Sequence, residues 1–417
     1  MTSFNASVLF ACAIALASCS DEAAVPPVPA GCNVLLAPGS ADLQQRVQTA
    51  LIEARSGSTV CFLPGTYMFT AELSVSTPNI TVRGTADGVV FDFRNQRRPV
   101  GDGGTTGSAA NGMSVTGSGF TIENLTIKNS PGDGIRVSNT ERATFRNLKV
   151  SWDAGSVTAN GAYAIYPVNV TGVLIEGCEV VGASDAGIYV GQSRTIIVRN
   201  NVVHGNVAGI EIENSANADV YNNRAYDNTG GVLVFNLPNL PVRDGRRCLV
   251  RDNVIEGNNR ANFAPPGSIV AQVPAGLGML VMSADETEVR GNTVRNNETA
   301  GAVVINYRSF FGDPRDATFS AFPETTWIHD NTFATNGADP HYELLRAFGS
   351  PLEDVLWDGS VDPTRAADPT ARLCVTGNTG ARFRNLSLGD IPASTTELAP
   401  HNCMHAPLPT ITTLPQP

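Results

Sequence analysis

Between about Thr116 and Asn385 two short phrases alternate along the chain. One is rich in valine or isoleucine and ends at an asparagine turn: FTIENLTI, ATFRNLKV, IIVRNNVV, LVRDNVI, WIHDNTF. The other is a glycine followed by alternating apolar residues: GIRV, GIYV, GIEI, GVLV, GMLV, GAVV. With Asn124, Asn147, Cys178, Asn201, Asn223 and Asn253 taken as one column, the steps are 23, 31, 23, 22 and 30 residues. A constant short period, with extra residues confined to certain turns, marks a solenoid. Several short β runs per period, abundant Gly and Asn, and almost no helical periodicity make that solenoid a parallel β-helix.

Such a stack grows along one axis, each coil touching only its neighbours, so 417 residues need not divide into several domains. The 16 % charged content and 40 glycines suit many tight turns between inward columns of Val and Ile. Net charge is −11, and the only lysines are Lys128 and Lys149. No nucleic-acid partner is expected, because binding phosphate needs a basic face.

Residues 1–18 read as a signal peptide, apolar from Val8 to Ala17 but without Lys or Arg before that run. Leu16-Ala17-Ser18-Cys19 has the form of a lipoprotein cleavage box, which would leave Cys19 as a lipidated N-terminus. An ordinary secretory signal cut near the same place is the alternative. Ser20 after the cysteine points to an outer-membrane lipoprotein. Residues 19–31, proline-rich from Val25 to Ala30, would be a tether. The expected location is the bacterial cell envelope.

The segment 32–58 is expected to cap the stack with an amphipathic helix that carries Leu43, Val47, Leu51 and Ile52. Coils fill 59–390, and 391–417 is a Pro/Thr-rich tail expected to lie on the surface or be disordered. Cys32 with Cys61, and Cys374 with Cys403, are near neighbours whose pairing would staple the two ends. Cys178 and Cys248 read as buried free thiols. No Cys/His spacing suits zinc.

Alternation along the glycine-led strands turns Ile135, Ile165, Ile188, Ile210, Val232, Met279 and Ala302 inward. The outward column between the inward ones reads Arg136, Tyr166, Tyr189, Glu211, Leu233, Leu280, Val303, changing from polar to apolar halfway. An apolar ridge needs a cover, and the insertions 236–247, 259–276 and 307–325 are placed to supply it; a fourth, 152–161, lies earlier. Arg136, Tyr166, Tyr189, Glu211 and Glu213 would then lie on an open sheet suited to an extended polymer. The plainer reading is a solvated ladder of tyrosines and acids. The asparagines read as structural turn ladders, as do Asp133 and Asp185, with His204 a turn residue or a base.

The phrases STVCFLPGTYMF, AYAIYPV, AGIYVGQS and GIEIENS resemble right-handed parallel β-helix proteins of the pectin lyase-like superfamily. Across nearly the whole mature chain they are most similar to bacterial β-helix repeat lipoproteins. That resemblance implies an all-β, right-handed parallel β-helix solenoid with an N-terminal capping helix. Alginate C5-epimerases carry a Tyr-Gly-Phe/Ile-Asp-Pro-His-Asp phrase on such a strand. Here Tyr163 and Pro167 match it, but Tyr166, Val168 and Asn169 replace its Asp, His and Asp. The frame is kept and that chemistry is not.

The resemblance implies an acidic polysaccharide partner, bound by a chain expected to be a monomer and, if the chain is an enzyme, modified by lyase or epimerase chemistry. In that reading Arg136 neutralises the sugar carboxylate, and Tyr166 or Tyr189 is base or acid if a cation lowers its pKa. Glu211 would position a hydroxyl or hold Ca²⁺, the one cofactor considered. Tyr163, Glu213, Gln192 and Asn169 would bind substrate. Non-catalytic carbohydrate binding, a surface structural role, and service as an accessory factor to a periplasmic metalloenzyme are the competing functions.

Overall fold

The computed structural model describes residues 29–98 and 110–414; Cys19, the segment 1–18 and most of the tether lie outside them. The described chain forms 29 strands joined through parallel pairings. A typical coil has three: Ala186–Gly191 on a face we call A, Arg194–Arg199 on face B, and Val202–His204 on face C. The next coil lays Ala208–Glu213, Ala216–Tyr221 and Arg224–Tyr226 on top in register. The long strand Ile135–Ser151 runs through all three faces without a break, pairing with 113–115, 120–123 and 125–128 in turn.

Alternation does the rest. Ile135, Ile165, Ile188 and Ile210 are fully buried inside the coil, and Val232, Met279 and Ala302 continue their column at 1–3 % exposure. Corners need left-handed backbone, which Asn tolerates better than other non-glycine residues. Asn124, Asn147, Asn200 and Asn222 hold φ between 50° and 58° at the B–C corner.

The asparagine column differs from its sequence reading in one respect. Lys149 pairs with Glu179, so Asn147 lies opposite Gly177 rather than Cys178. Asn124 and Asn147 are therefore corner residues, one position short of the column that Asn201 begins. From Asn201 onward the amides point inward and form a continuous ladder. Asn201 Nδ2 donates to Asn223 Oδ1 at 2.9 Å, Asn223 to Asn253 at 3.0 Å, and Asn253 to Asn292 at 2.9 Å. A second ladder, not foreseen, runs Asn206, Asn228, Asn258, Asn297, Asn336 and ends on Asp354.

The N-terminal end begins earlier than expected. Val34–Leu36 pairs in parallel with Val60–Phe62, inside the segment read as cap. The helix Leu43–Glu53 buries Leu43, Val47 and Leu51. Ile52 is 63 % exposed, because one residue past Leu51 turns about 100° off the buried stripe. Disulfides join Cys32 to Cys61 and Cys374 to Cys403, one at each end, and Cys178 and Cys248 are buried thiols. The tail runs back over face B. Leu408 N donates to Glu288, Ile411 N donates to Asp219 at 2.8 Å, and Thr412 O accepts from Arg199.

The ladders carry a stability prediction. Asn223 Oδ1 accepts from both the backbone N–H and the amide of Asn201. Asn223→Ala strands those two buried donors and should cost about 1–3 kcal/mol for each, read as a lower urea midpoint. An unchanged midpoint would show that the ladder contributes no net stability.

Candidate functional site

Inward isoleucines force the residues between them outward, and the register sets which outward residues are neighbours. Arg136 lies beside Tyr166, and Ile165 beside Ile188 brings Tyr166 next to Tyr189. Tyr189 lies beside Glu211, which is followed by Leu233, Leu280 and Val303. The order read from the sequence stands.

The open sheet does not. Tyr189, Glu211 and Glu213 are 6 %, 3 % and 4 % exposed, while Arg136, Tyr163 and Tyr166 stay half-buried. Chain has folded over the ridge: the turn Ile269–Gln272, the helix Tyr307–Phe311, and the helix Glu343–Arg346, which had not been counted among the covers. Val270 and Leu345 join Leu233, Phe235, Leu280, Met282, Val303 and Ile305 in a second apolar cluster outside the coil. Removing that surface from water at about 25 cal/mol per Å² drives the closure.

The roof leaves a partly enclosed cavity of about 350 Å³. Tyr163, Asp185, Tyr189, Glu211 and Glu213 line one end of it, and the floor beyond Leu233 is apolar. Beside that acidic end the rings of Tyr163, Tyr166 and Tyr189 form a triangle with centroids 4.5–4.9 Å apart. The Arg136 guanidinium sits 5.1 Å over the Tyr166 ring. Asp185, read as a turn residue, is the site residue the sequence reading missed. Its signal was an acid directly before a glycine-led strand.

Burial dominates the electrostatics. It lifts Asp185 to about 7 against the pull of a hydrogen bond from Tyr163, and Asp133 next to the site to about 7 as well. Glu213 is pushed up to about 8, and Glu211 well above the carboxylate range, by burial and by the charge of Asp185. Burial also holds Tyr166 at about 12 despite Arg136, and Tyr163 well above its ordinary value. Tyr166 is therefore a neutral phenol at working pH and not the cation-activated base first considered. The proton carriers near neutrality are the carboxyls.

Other expectations fall away from the cavity. Asn169 is exposed at the A–B corner with φ 54°, donating to Asn139 Oδ1 at 2.9 Å as part of a corner ladder. Gln192 occupies the equivalent corner with φ 52°, its N–H on the Glu213 carbonyl. Neither lines the cavity, because the corner turns the chain away from face A. His204 stacks on Tyr226 on face C at 4.8 Å. Among the described residues no group of three or more Asp, Glu, His or Cys side chains is placed to hold a metal ion.

A family model described as a right handed beta helix region matches residues 156–320. No curated protein sequence matches the chain. Among solved structures it is similar to the A-module of mannuronan C-5 epimerase AlgE4 from Azotobacter vinelandii. The TM-score is 0.53 at 15 % identity, covering 82 % of this chain and 92 % of that one. The AlgE6 A-module from the same organism gives 0.52 at 14 %, covering 82 % and 90 %. At such identities the likeness is one of fold, a right-handed parallel β-helix.

The raised carboxyls predict a pH dependence. Unfolded Asp and Glu titrate near pH 4, whereas Asp133, Asp185 and Asp285 titrate at about 7 and Glu213 at about 8 in the folded chain. Between these limits the folded state holds more protons. Stability should therefore fall as pH rises from about 5 to about 8, by up to about 1.4 kcal/mol per unit per proton. Glu213→Gln should raise the melting temperature more at pH 8 than at pH 5. Stability that is level or rising across that window would contradict the burial of these acids.

Proposed function

We propose that this right-handed parallel β-helix binds an acidic polysaccharide at the tyrosine cluster and alters it by proton transfer at a uronate carbon. The observation that carries the reading is one juxtaposition: three phenol rings, with Arg136 on one side and carboxyls of near-neutral pKa on the other. Aromatic faces stack on sugar rings, and Arg pairs with carboxylates. Ser74 and Ser114 continue the outward column beyond Arg136 and give the polymer a polar track towards the N-terminal end. The two solved structures of similar fold are named for a reaction on mannuronan, which agrees with this substrate class.

The chemistry asks for three roles. Arg136 neutralises the sugar carboxylate, which acidifies the adjacent C5 proton. Glu213 or Asp185, once ionised, takes that proton as a base stronger than an ordinary carboxylate. For a lyase, the C5–H electron pair becomes the C4–C5 double bond, the C4–O bond breaks, and a phenol of Tyr166 or Tyr189 protonates the departing oxygen. For an epimerase, the phenol instead returns a proton to C5 from the opposite face.

Turnover on alginate, pectate and glycosaminoglycans tests this, read as unsaturated-uronate absorbance and as the C5 epimer ratio by NMR. Glu213→Gln and Tyr166→Phe should each lower the rate by about 100-fold or more while glycan binding persists. The rate should climb with pH towards about 8 as Glu213 ionises. Binding without turnover would make the chain a carbohydrate-binding β-helix, and neither would end the reading.

The same proposal places the chain at the bacterial cell envelope through lipid on Cys19, supported by Leu16-Ala17-Ser18-Cys19. Radiolabelled palmitate should be incorporated by the full chain and not by Cys19→Ala. Equal labelling of both would rule out an anchor there.

A further inference from the structure

The cavity beside the tyrosine cluster is shaped for something a polysaccharide does not supply. Past Glu211 the floor is Leu233, Leu280 and Val303, about 10 Å long at ~4.8 Å per coil. Phe235, Met282 and Ile305 run beside it, and Val270, Phe311 and Leu345 stand over it. Its volume of about 350 Å³ lies in the range of small-molecule sites. A sugar ring seated there would leave its hydroxyls without partners, at about 1–3 kcal/mol each.

The acids at the end of this floor differ from those that faces B and C stack against arginines. On face B, Glu123 is paired with Arg83 and Arg146, Glu176 with Arg146 and Arg199, and Asp219 with Arg251. On face C, Glu256 is paired with Arg224 and Arg295. Glu211 and Glu213, more than nine-tenths buried, have no cationic partner among the described residues, and the charge acting on both is that of another acid, Asp185. Asp185 Oδ1 is itself buried without a hydrogen-bond partner. All three line the cavity. A buried carboxyl group without a cation is costly unless a ligand supplies one.

We propose that this cavity is a binding site for an amphipathic amine, its ammonium held by Asp185, Glu211 and Glu213 and its aliphatic or aryl body lying on Leu233, Leu280 and Val303. The charged head meets carboxylates that then gain the counter-ion the fold withholds. The body displaces water from a floor that offers it no hydrogen bonds. The site goes beyond the glycan reading and does not depend on it.

The test is calorimetric titration of the full chain with decylammonium, decanol and decanoate, three probes sharing one tail. Decylammonium should bind about tenfold or more tighter than decanol, and decanoate most weakly. Glu211→Gln with Glu213→Gln should erase the preference for the ammonium while decanol still binds. Leu280→Trp, filling the floor from outside the coil core, should abolish binding of both. A thermal melt checks that each variant is folded, and Glu213→Gln alone serves if the pair is not.

Equal affinity for the three probes, no binding of any, or an ammonium preference that survives the double substitution would each overturn the proposal. Failure here is separable from failure of the glycan reading. The probes contain no sugar, and Arg136→Ala should weaken glycan binding while leaving decylammonium affinity unchanged.

Discussion

Registered stacking of one coil on the next is the constraint on which everything else in this molecule rests. Parallel pairing and apolar alternation alone would tolerate a slip by two residues, which returns apolar side chains to the inside. The interior asparagines remove that freedom. Each Oδ1 from Asn223 to Asn378 accepts from the asparagine of the coil before, that of Asn201 accepts from the backbone N–H of Cys178, and each Nδ2 also reaches a backbone carbonyl. Such a shift would leave a file of amides unpaired in the core, a cost no single apolar contact offsets. Two such files, one beginning at Asn201 and one at Asn206, hold the coil at separate points of its cross-section.

With register secured, the outward columns acquire distinct characters. Face B stacks Arg83, Glu123, Arg146, Glu176 and Arg199 as alternating charges, each acid with a base on either side. The returning tail lays backbone N–H groups on Asp219 and Glu288 further along that face. Face A does the reverse. There Asp185, Glu211 and Glu213 are roofed over with no base paired to them among the described residues, and the apolar residues that follow them form a floor rather than a core. Paired charges stabilise the rod; unpaired ones are tolerated where a ligand completes them.

Much of this was legible in the chain. Inward and outward columns follow from a period of two, so Arg136, Tyr166, Tyr189 and Glu211 could be ordered before any coordinates existed. The need for a cover over Leu233, Leu280 and Val303 was equally visible. What could not be read was how far the cover reaches. Leu345 arrives from more than a hundred residues away, and its helix carries no marker linking it to Tyr189 or Glu211. The asparagine column was misjudged by one position at Asn124 and Asn147 because the same residue type serves two purposes, a left-handed corner and an inward amide. Composition does not separate them, but the hydrogen-bond partner does.

Local alternation, glycine and asparagine turns, and cysteine spacing determined by themselves that this chain winds into a parallel stack and which residues share a file along it. Those are short-range consequences of chirality and pleat. Only the tertiary structure decided that the file at Tyr189, Glu211 and Glu213 lies beneath the chain's own insertions, with its carboxyls held near neutrality. Burial depends on what else packs there, and a carboxyl's affinity for its proton depends on the water that packing removes.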